Sequence, residues 1–280
     1  MPCLVRTVLK GRPFWVKRDD LLQLALPGSS SPPHLKPQSA AHVDGNKARK
    51  FKELVKLLSW NQGSRVEVIG SYGGFQSNSM AALASIVAAE NAARRDETSL
   101  VDGLLRHPPS LDLVYFTPKG IPGWLKQNPV GNFKTAIDNG TRVIELTGSM
   151  YEMLESAQKT TTWPTLLDGV VDINIDDTHM YTDTTVVQPA QSKLWVPQGG
   201  AAPFARIGVE DMVDEVVEDV LSMSLASVSG EHGGDDDPTD ATPTRWVLAM
   251  ASGTGTCALY AHRRCLEHTR RLQKVCLWSS

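Results

Sequence analysis

The chain has 280 residues, with 28 Lys plus Arg against 31 Asp plus Glu and a formal net charge of −3. Its hydrophobic content of 41% and charged content of 21% are those of an ordinary globular protein, with chain enough for one large domain or two small ones. The near-neutral balance argues against a protein built to neutralise nucleic-acid phosphates, and no apolar run approaches the about 18–20 residues needed to span a bilayer.

The longest such run, 80–89, reads as a buried helix. The four cysteines, Cys3, Cys257, Cys265 and Cys276, include no C-x-x-C pair. Neither a zinc knuckle nor a disulfide scaffold is expected, and a reducing compartment is. Residues 1–16 carry Arg6, Lys10 and Arg12 but lack the apolar core and small-residue cleavage site of a secretory signal.

In chain order, Phe14-Trp15-Val16 is strand-like, and 27–38 (PGSSSPPHLKPQ) reads as a loop. A helix opens at Gly45 and runs to Trp60. Residues 65–69 (RVEVI) predict a strand and 77–93 a helix. Residues 112–117 (DLVYFT) predict the next strand, and 131–139 a helix closed by Gly140. Residues 142–146 (RVIEL) read as a strand, 150–159 as a helix, 194–196 as a strand and 209–225 as a helix. An acidic, Gly- and Pro-rich insertion fills 229–244. Then come a strand at 246–251, a helix at 256–273 and the start of a final strand at Val275-Cys276-Leu277. No internal repeat is present. Strands alternating with helices imply parallel pairing and the α/β class. Open α/β sheets bind ligands at the carboxyl ends of their strands.

Three strand-to-helix junctions are unusual. At Gly45-Asn46-Lys47-Ala48-Arg49-Lys50, three cations crowd a helix start, against the macrodipole. Either an anion or a covalent partner compensates them, or they form a solvated basic face. At 70–79 (GSYGGFQSNS), glycines permit close backbone approach, and Ser77 and Asn78 stand beside free helical N–H groups, as a carboxylate or phosphate requires. A helix cap accounts for one of these two residues, not for both with Gly73, Gly74 and Gln76 as well. At 251–256 (ASGTGT), small and hydroxyl residues form an anion nest. Gly253, Gly255 and Ala258 match a dinucleotide pattern only weakly, because the acidic ribose ligand due about 20 residues later is missing. His262, Cys265 and His268 share a helical face without a fourth ligand, and Asp176, Asp177 and His179 resemble a metal cluster in composition alone. No metal is expected.

Five blocks taken together resemble the D-cysteine desulfhydrase and 1-aminocyclopropane-1-carboxylate deaminase family, closest to its eukaryotic desulfhydrase-like branch. They are Val16-Lys17-Arg18-Asp19-Asp20-Leu21 with Gly45-Asn46-Lys47-Ala48-Arg49-Lys50, then Gly73-Gly74-Phe75-Gln76-Ser77-Asn78, then 122–132 (PGWLKQNPVGN), then Val196-Pro197-Gln198-Gly199-Gly200-Ala201, and 251–260 (ASGTGTCALY). They follow the family's order from about Phe14 to Cys276.

The resemblance implies pyridoxal 5′-phosphate and the tryptophan-synthase-β-like fold, known as fold type II. That fold would have a large cofactor-binding domain at 1–60 and 161–280 and a small domain at 61–160. It implies that Lys47 bonds the cofactor covalently, that Asn78 touches the pyridine ring's oxygen and that Lys50 tunes charge or meets phosphate. Gly253, Thr254, Gly255 and Thr256 would bind the phosphate. Ser77, Asn78 and Gln76 would hold the substrate, with Ser77 receiving its carboxylate and joining proton transfers. The expected reaction converts D-cysteine to pyruvate, sulfide and ammonia. The alternatives are ring opening of 1-aminocyclopropane-1-carboxylate or a shortened, non-catalytic homologue. A nicotinamide oxidoreductase is a more distant reading of the Gly253 turn.

Where the family often has His and Arg after its Ser-Asn pair, this chain has Ser79, Met80 and Ala81. The loop at 27–44 is also longer than the family's. Family chains continue for tens of residues beyond this one, so the resemblance implies a chain truncated at its C-terminus. That tail would supply a further strand and helices. A cytoplasmic homodimer is expected, with a mitochondrial address as the alternative and neither nucleic acid nor membrane as a partner.

Overall fold

The computed structural model describes residues 4–10, 12–27, 43–59, 66–96, 99–101, 104–106, 108–156, 164, 192–229 and 256–278. The chain divides into two compact units, Met1–Asp19 with Arg206–Ser280, and Asp20–Ala205.

The second unit is an α/β layer structure. Helix α1 (Gly45–Leu58) buries Ala48, Phe51, Leu54 and Leu58 along one stripe, the helical spacing that a core-facing side requires. Strand β3 (Val66–Tyr72) leads into α2 (Asn78–Asp96), which is followed by the short hairpin β4 (Ser99–Val101) and β5 (Leu104–Arg106). Then come β6 (Asp112–Pro118), α3 (Gly123–Gln127), α4 (Gly131–Asp138), β7 (Arg142–Leu146), α5 (Gly148–Ser156) and β8 (Ser192–Val196).

The four long strands form one parallel sheet in the order β7-β6-β3-β8, with Ser71 level with Tyr115 of β6 and Val196 of β8. Leu113 to Thr117 are all buried, the unbroken run expected of a parallel strand covered on both faces. On one face Val68, Tyr72, Val114, Phe116 and Trp195 pack against Leu154 of α5, with Trp195 stacked on Tyr72 at 6.0 Å.

Helix α2 is Ala-rich and buried nearly all round, at Met80, Leu83, Ala84, Ile86 and Val87 among others, as the run at 80–89 predicts. Its far end carries a buried charge. Arg94 Nε donates to Glu90 Oε1 at 3.1 Å. Its Nη atoms donate to the carbonyls of Pro109 at 2.9 Å, Leu58 at 3.1 Å and Val66 at 3.2 Å. One guanidinium thereby joins the end of α1, the start of β3, the approach to β6 and α2 itself. Asn91 adds a two-way amide pair with the backbone of Leu111.

In the first unit, β1 (Leu4–Leu9) and β2 (Arg12–Lys17) form an antiparallel hairpin, and Lys17 is paired with Glu215 at 2.8 Å. Helix α6 (Phe204–Ser229), whose first two residues belong to the second unit, meets α7 (Thr256–Trp278) through Val209, Val213, Cys257 and Ala261. Arg264 grips Asp214 with two bonds of 2.7 Å, and His268 reaches the same carboxylate at 2.7 Å. His268 is thus hydrogen-bonded to a carboxylate, and among the described residues no His, Cys, Asp and Glu group is arranged to hold a metal. No helix among them is long and apolar enough to cross a membrane.

Two expectations are corrected. Val275-Cys276-Leu277 begin no strand, because α7 continues through them to Trp278. Nothing between 257 and 278 is Gly or Pro, so no residue stops the helix. Helix α1 ends at Leu58, two residues short of Trp60. The strand expected at 246–251, most of the loop at 27–38, the insertion at 230–244, and Asp176, Asp177 and His179 lie outside the described residues.

Replacing Arg94 by Ala is expected to cost about 3–5 kcal/mol in urea unfolding, because Glu90 and three carbonyls lose a buried donor. Arg94→Lys should recover little, since one ammonium cannot reach in three directions. A loss below about 1 kcal/mol for Arg94→Ala would refute the role assigned to it. The Asp214 carboxyl is held down to about 2 by the hydrogen bond from Arg264, with His268 adding to it. A depressed acid stabilises above its unfolded value and loses that contribution as pH falls through the folded one. The stability gap between the parent and Asp214→Asn, about 1 kcal/mol for a network this exposed, should be full above pH 3.8 and close toward about 2. A gap independent of pH across that window would refute this account.

Candidate functional site

From β3 the chain moves to β6 and then β7 on one side, whereas β8 lies on the other side of β3. The carboxyl ends of β3 and β8 therefore flank the point where strand order reverses, which is where open α/β sheets form their ligand crevice. Both turns that leave these strands belong to blocks singled out in the sequence. The Gly73–Asn78 turn follows β3, and a 3-10 turn at Gln198–Gly200 follows β8. They touch, since a Cβ on Gly73 would lie 3.6 Å from Gln198 Cγ. Helix α1 is drawn to the same place. Lys50 Nζ donates to Gly199 O at 3.0 Å, and Gly200, at φ +72, lies so close to Phe51 that a Cβ would stand 2.7 Å from its ring.

The turn before α2 is built for close approach. Gly73 sits at φ +147, its N–H donates to Phe116 O at 3.0 Å, and the Ser77 N–H donates to Gly74 O at 3.0 Å. Ser77 is the helix cap. Its Oγ accepts from the Ser79 N–H at 3.1 Å, and its carbonyl accepts the first helical bond, from Ala81. The first turn of α2 has no acidic residue to offset the positive end of the helix dipole.

The block at 122–132 is buckled onto this turn. Gln76 Nε2 donates to Val130 O at 3.2 Å, and its Oε1 accepts from the Phe133 N–H at 3.3 Å. Asn132 Nδ2 donates to Gln76 O at 2.9 Å and to Asn78 Oδ1 at 2.6 Å.

Beneath the turn are hydroxyls without partners. Ser71, Ser79, Tyr115 and Thr117 are buried, and among the described residues none of their side-chain oxygens has a hydrogen bond of regular geometry, although the Ser77 side chain faces that of Tyr115. Ser71 and Tyr115 are level on neighbouring strands, with Thr117 two residues further along β6. All three therefore face away from the Tyr72–Trp195 side. The Tyr115 oxygen stands 2.5 Å from where a Cβ on Gly73 would be. Burial pushes its pKa well above the usual tyrosine value, while the facing Ser77 side chain partly offsets this. Buried polar groups without partners are rare in folded proteins, and each calls for an explanation.

Of the residues that sequence reasoning assigned to a site, Lys47 lies half-buried in the first turn of α1. It is one turn ahead of Lys50, and its N–H is bonded to Asp44 O at 3.2 Å. Arg49 and Lys50 are only 5% and 3% exposed, which rules out a solvated basic face for them. Gln76, Ser77 and Asn78 lie at the crevice, though Ser77 also caps and Gln76 also clasps. Gly253, Thr254 and Gly255 lie outside the described residues, and Thr256 opens α7.

Sequence reasoning gave no role to Tyr115, Asn132 or Gln198. The signal for Tyr115 was faint: a polar-tipped aromatic near the carboxyl end of an otherwise apolar strand. Asn132 and Gln198 sat inside quoted blocks, and only the folded chain reveals what they touch.

Gly73→Ala should destabilise the second unit by about 2 kcal/mol, from a strained φ and a collision with the phenol. Tyr115→Phe alone should be neutral or stabilising, because it removes an unpartnered buried oxygen. Combined, the two should recover the collision part of the Gly73→Ala loss and not the φ part, as a double-mutant cycle in urea would reveal. Simple additivity would mean that the two groups do not meet. No protein-family model matches the chain and no curated protein matches it, so the reading of this crevice rests on its own residues.

Proposed function

We propose that the chain is a pyridoxal-phosphate-dependent lyase that acts on a small amino acid, with D-cysteine as its leading substrate. The observation that carries this reading is convergence. The blocks at 45–50, 73–78, 122–132 and 196–201 are far apart in sequence and meet at one sheet crevice, through Lys50 with Gly199, Gly73 with Gln198, and Asn78 and Gln76 with the 130–133 segment.

The residues present fit such a group. A half-buried lysine lies one turn from the crevice, a capped helix N-terminus carries no acid of its own, and buried hydroxyls stand without partners. When bound, the cofactor supplies the electron sink for a carbanion at the substrate Cα. Lys47 would hold the cofactor and serve as the base for the substrate Cα proton. The α2 N-terminus, with the Ser77 hydroxyl and the amides of its first turn, receives the substrate carboxylate. Asn78, whose Oδ1 accepts from Asn132, would contact the cofactor ring. Lys50, bound to Gly199 O, keeps positive charge beside the anionic cofactor. The family resemblance would give the phosphate to Gly253, Thr254, Gly255 and Thr256, the first three of which lie outside the described residues. From D-cysteine, one water enters while sulfide leaves Cβ and ammonia leaves Cα, giving pyruvate.

Fold type II, the division into 1–60 with 161–280 and 61–160, a homodimer and a cytoplasmic or mitochondrial setting belong to the same proposal. Ring opening of 1-aminocyclopropane-1-carboxylate is the second substrate to test.

Added pyridoxal phosphate is expected to give the parent a visible absorption band that Lys47→Ala lacks, with unchanged circular dichroism in both. Sulfide release from D-cysteine should fall to background in Lys47→Ala. Two folded proteins without a band, or the same band in both, would remove the enzyme reading. Ammonia from the cyclopropane substrate with no sulfide from D-cysteine would exchange the two substrates.

A further inference from the structure

Ser77 is asked both to cap α2 and to meet a carboxylate, and hydrogen-bond arithmetic says how one hydroxyl does both. A serine hydroxyl has one proton and two lone pairs. One lone pair of Ser77 Oγ already accepts from the Ser79 N–H at 3.1 Å. If the second were empty, the proton could swing inward, and the oxygen would face a ligand as an acceptor, which repels an anion. The buried oxygen that faces Ser77 is that of Tyr115. It is fully buried, lacks a hydrogen bond of regular geometry and is aimed at the Gly73 backbone within the same turn.

We propose that Tyr115 is the positioning residue of the α2 carboxylate site: its phenol donates to Ser77 Oγ when a small carboxylate binds, and so holds the Ser77 proton outward toward that ligand. The inference rests on the reading that the α2 N-terminus receives the substrate carboxylate, and it deepens that reading by naming what makes the site select an anion. A phenol suits the task. Burial keeps it protonated, so it has a proton to give, an anion beyond Ser77 favours that direction of the pair, and it brings no negative charge to the positive end of a helix. Gly73 allows the arrangement, because a Cβ there would occupy the space the phenol oxygen needs. Tyr115 itself touches no ligand and acts through Ser77.

The test uses D-lactate as a carboxylate probe, titrated calorimetrically into the full chain without cofactor, with the neutral D-lactamide as its control. Tyr115→Phe should weaken D-lactate binding about fivefold to tenfold, the worth of one hydrogen bond, while leaving the urea midpoint unchanged or higher. Ser77→Gly, chosen because Gly caps a helix at a cost of only a few tenths of a kcal/mol, should weaken it by as much or more. Tyr115→Phe added to Ser77→Gly should bring no further loss, a coupling that a purely structural tyrosine would not produce.

The proposal is overturned if Tyr115→Phe binds D-lactate as the parent does. It is also overturned if the two losses simply add, if D-lactamide binds as well as D-lactate, or if the parent binds no D-lactate. The absorption experiment with Lys47→Ala is separate. Loss of the band with the D-lactate pattern intact removes the cofactor reading and leaves Tyr115 in place. The reverse result removes only Tyr115.

Discussion

The crevice depends on a charge buried about 25 Å from it along one helix. Arg94, at the far end of α2, is held by Glu90 and by three carbonyls from α1, the start of β3 and the approach to β6. Taking a guanidinium out of water is costly, and replacing such a network by apolar side chains often leaves stability unchanged. What it adds here is position. Helix α2 packs Met80, Leu83, Ile86 and Val87 together with its alanines into the core, and apolar burial is non-directional, so it does less than hydrogen bonds to oppose sliding or rotation about the helix axis. Three directional bonds to carbonyls outside the helix, with Glu90 fixing the guanidinium from within it, set both. The other end, with Ser77 and Asn78, is then placed against the sheet by a rigid rod of hydrogen-bonded turns.

The near end uses the opposite chemistry. At the crevice, backbone approaches side chain so closely that only glycine fits, as Gly73 over the Tyr115 phenol and Gly200 over the Phe51 ring illustrate. Cations enter from α1 against its own dipole, and Lys50 is compensated by the Gly199 carbonyl at the turn after β8. Hydroxyls rather than carboxylates line the floor. Donors and neutral groups at the end of a helix that carries no acid leave a field favourable to anions. Because β3 and β8 are neighbours at the strand-order reversal, the two glycine turns face each other across that field.

The parallel sheet was legible because its strands are short apolar runs separated by helical ones, and β7 and the core of β6 fall where periodicity puts them. The strand order was not, since nothing in a single strand's pattern says which neighbour it pairs with. The hairpin β1–β2 was half hidden by Arg6 in β1, Lys10 in the turn and Arg12 in β2, which break the apolar signal along the segment. The end of α7 was misread because Val275-Cys276-Leu277 looks like a strand start in isolation, whereas an unbroken helix preceding it continues by default. At the site, the blocks at 45–50 and 73–78 stood out by composition. The basic cluster nonetheless has a solvated face as its ordinary meaning, and only the burial of Arg49 and Lys50 changes that. Tyr115 was invisible because a tyrosine in an apolar strand reads as core.

Each local feature of the crevice taken alone has a structural explanation. Ser77 caps, Gln76 clasps the 130–133 segment, Asn132 ties two backbone turns, and the glycines make room. A turn that existed only to connect β3 to α2 would still be better served by apolar residues below it, because an unpartnered buried hydroxyl costs about 1–3 kcal/mol. Ser71, Ser79, Tyr115 and Thr117 are all such groups, and all four lie at or just beneath the turn. Alanine at 71, valine at 117 or phenylalanine at 115 would come close to the shape without the unpartnered oxygen. The capping and clasping bonds account for how the turn is held, while the hydroxyls below it are polar without any structural gain. That imbalance, repeated four times in one place, is what a ligand bound at this crevice would explain.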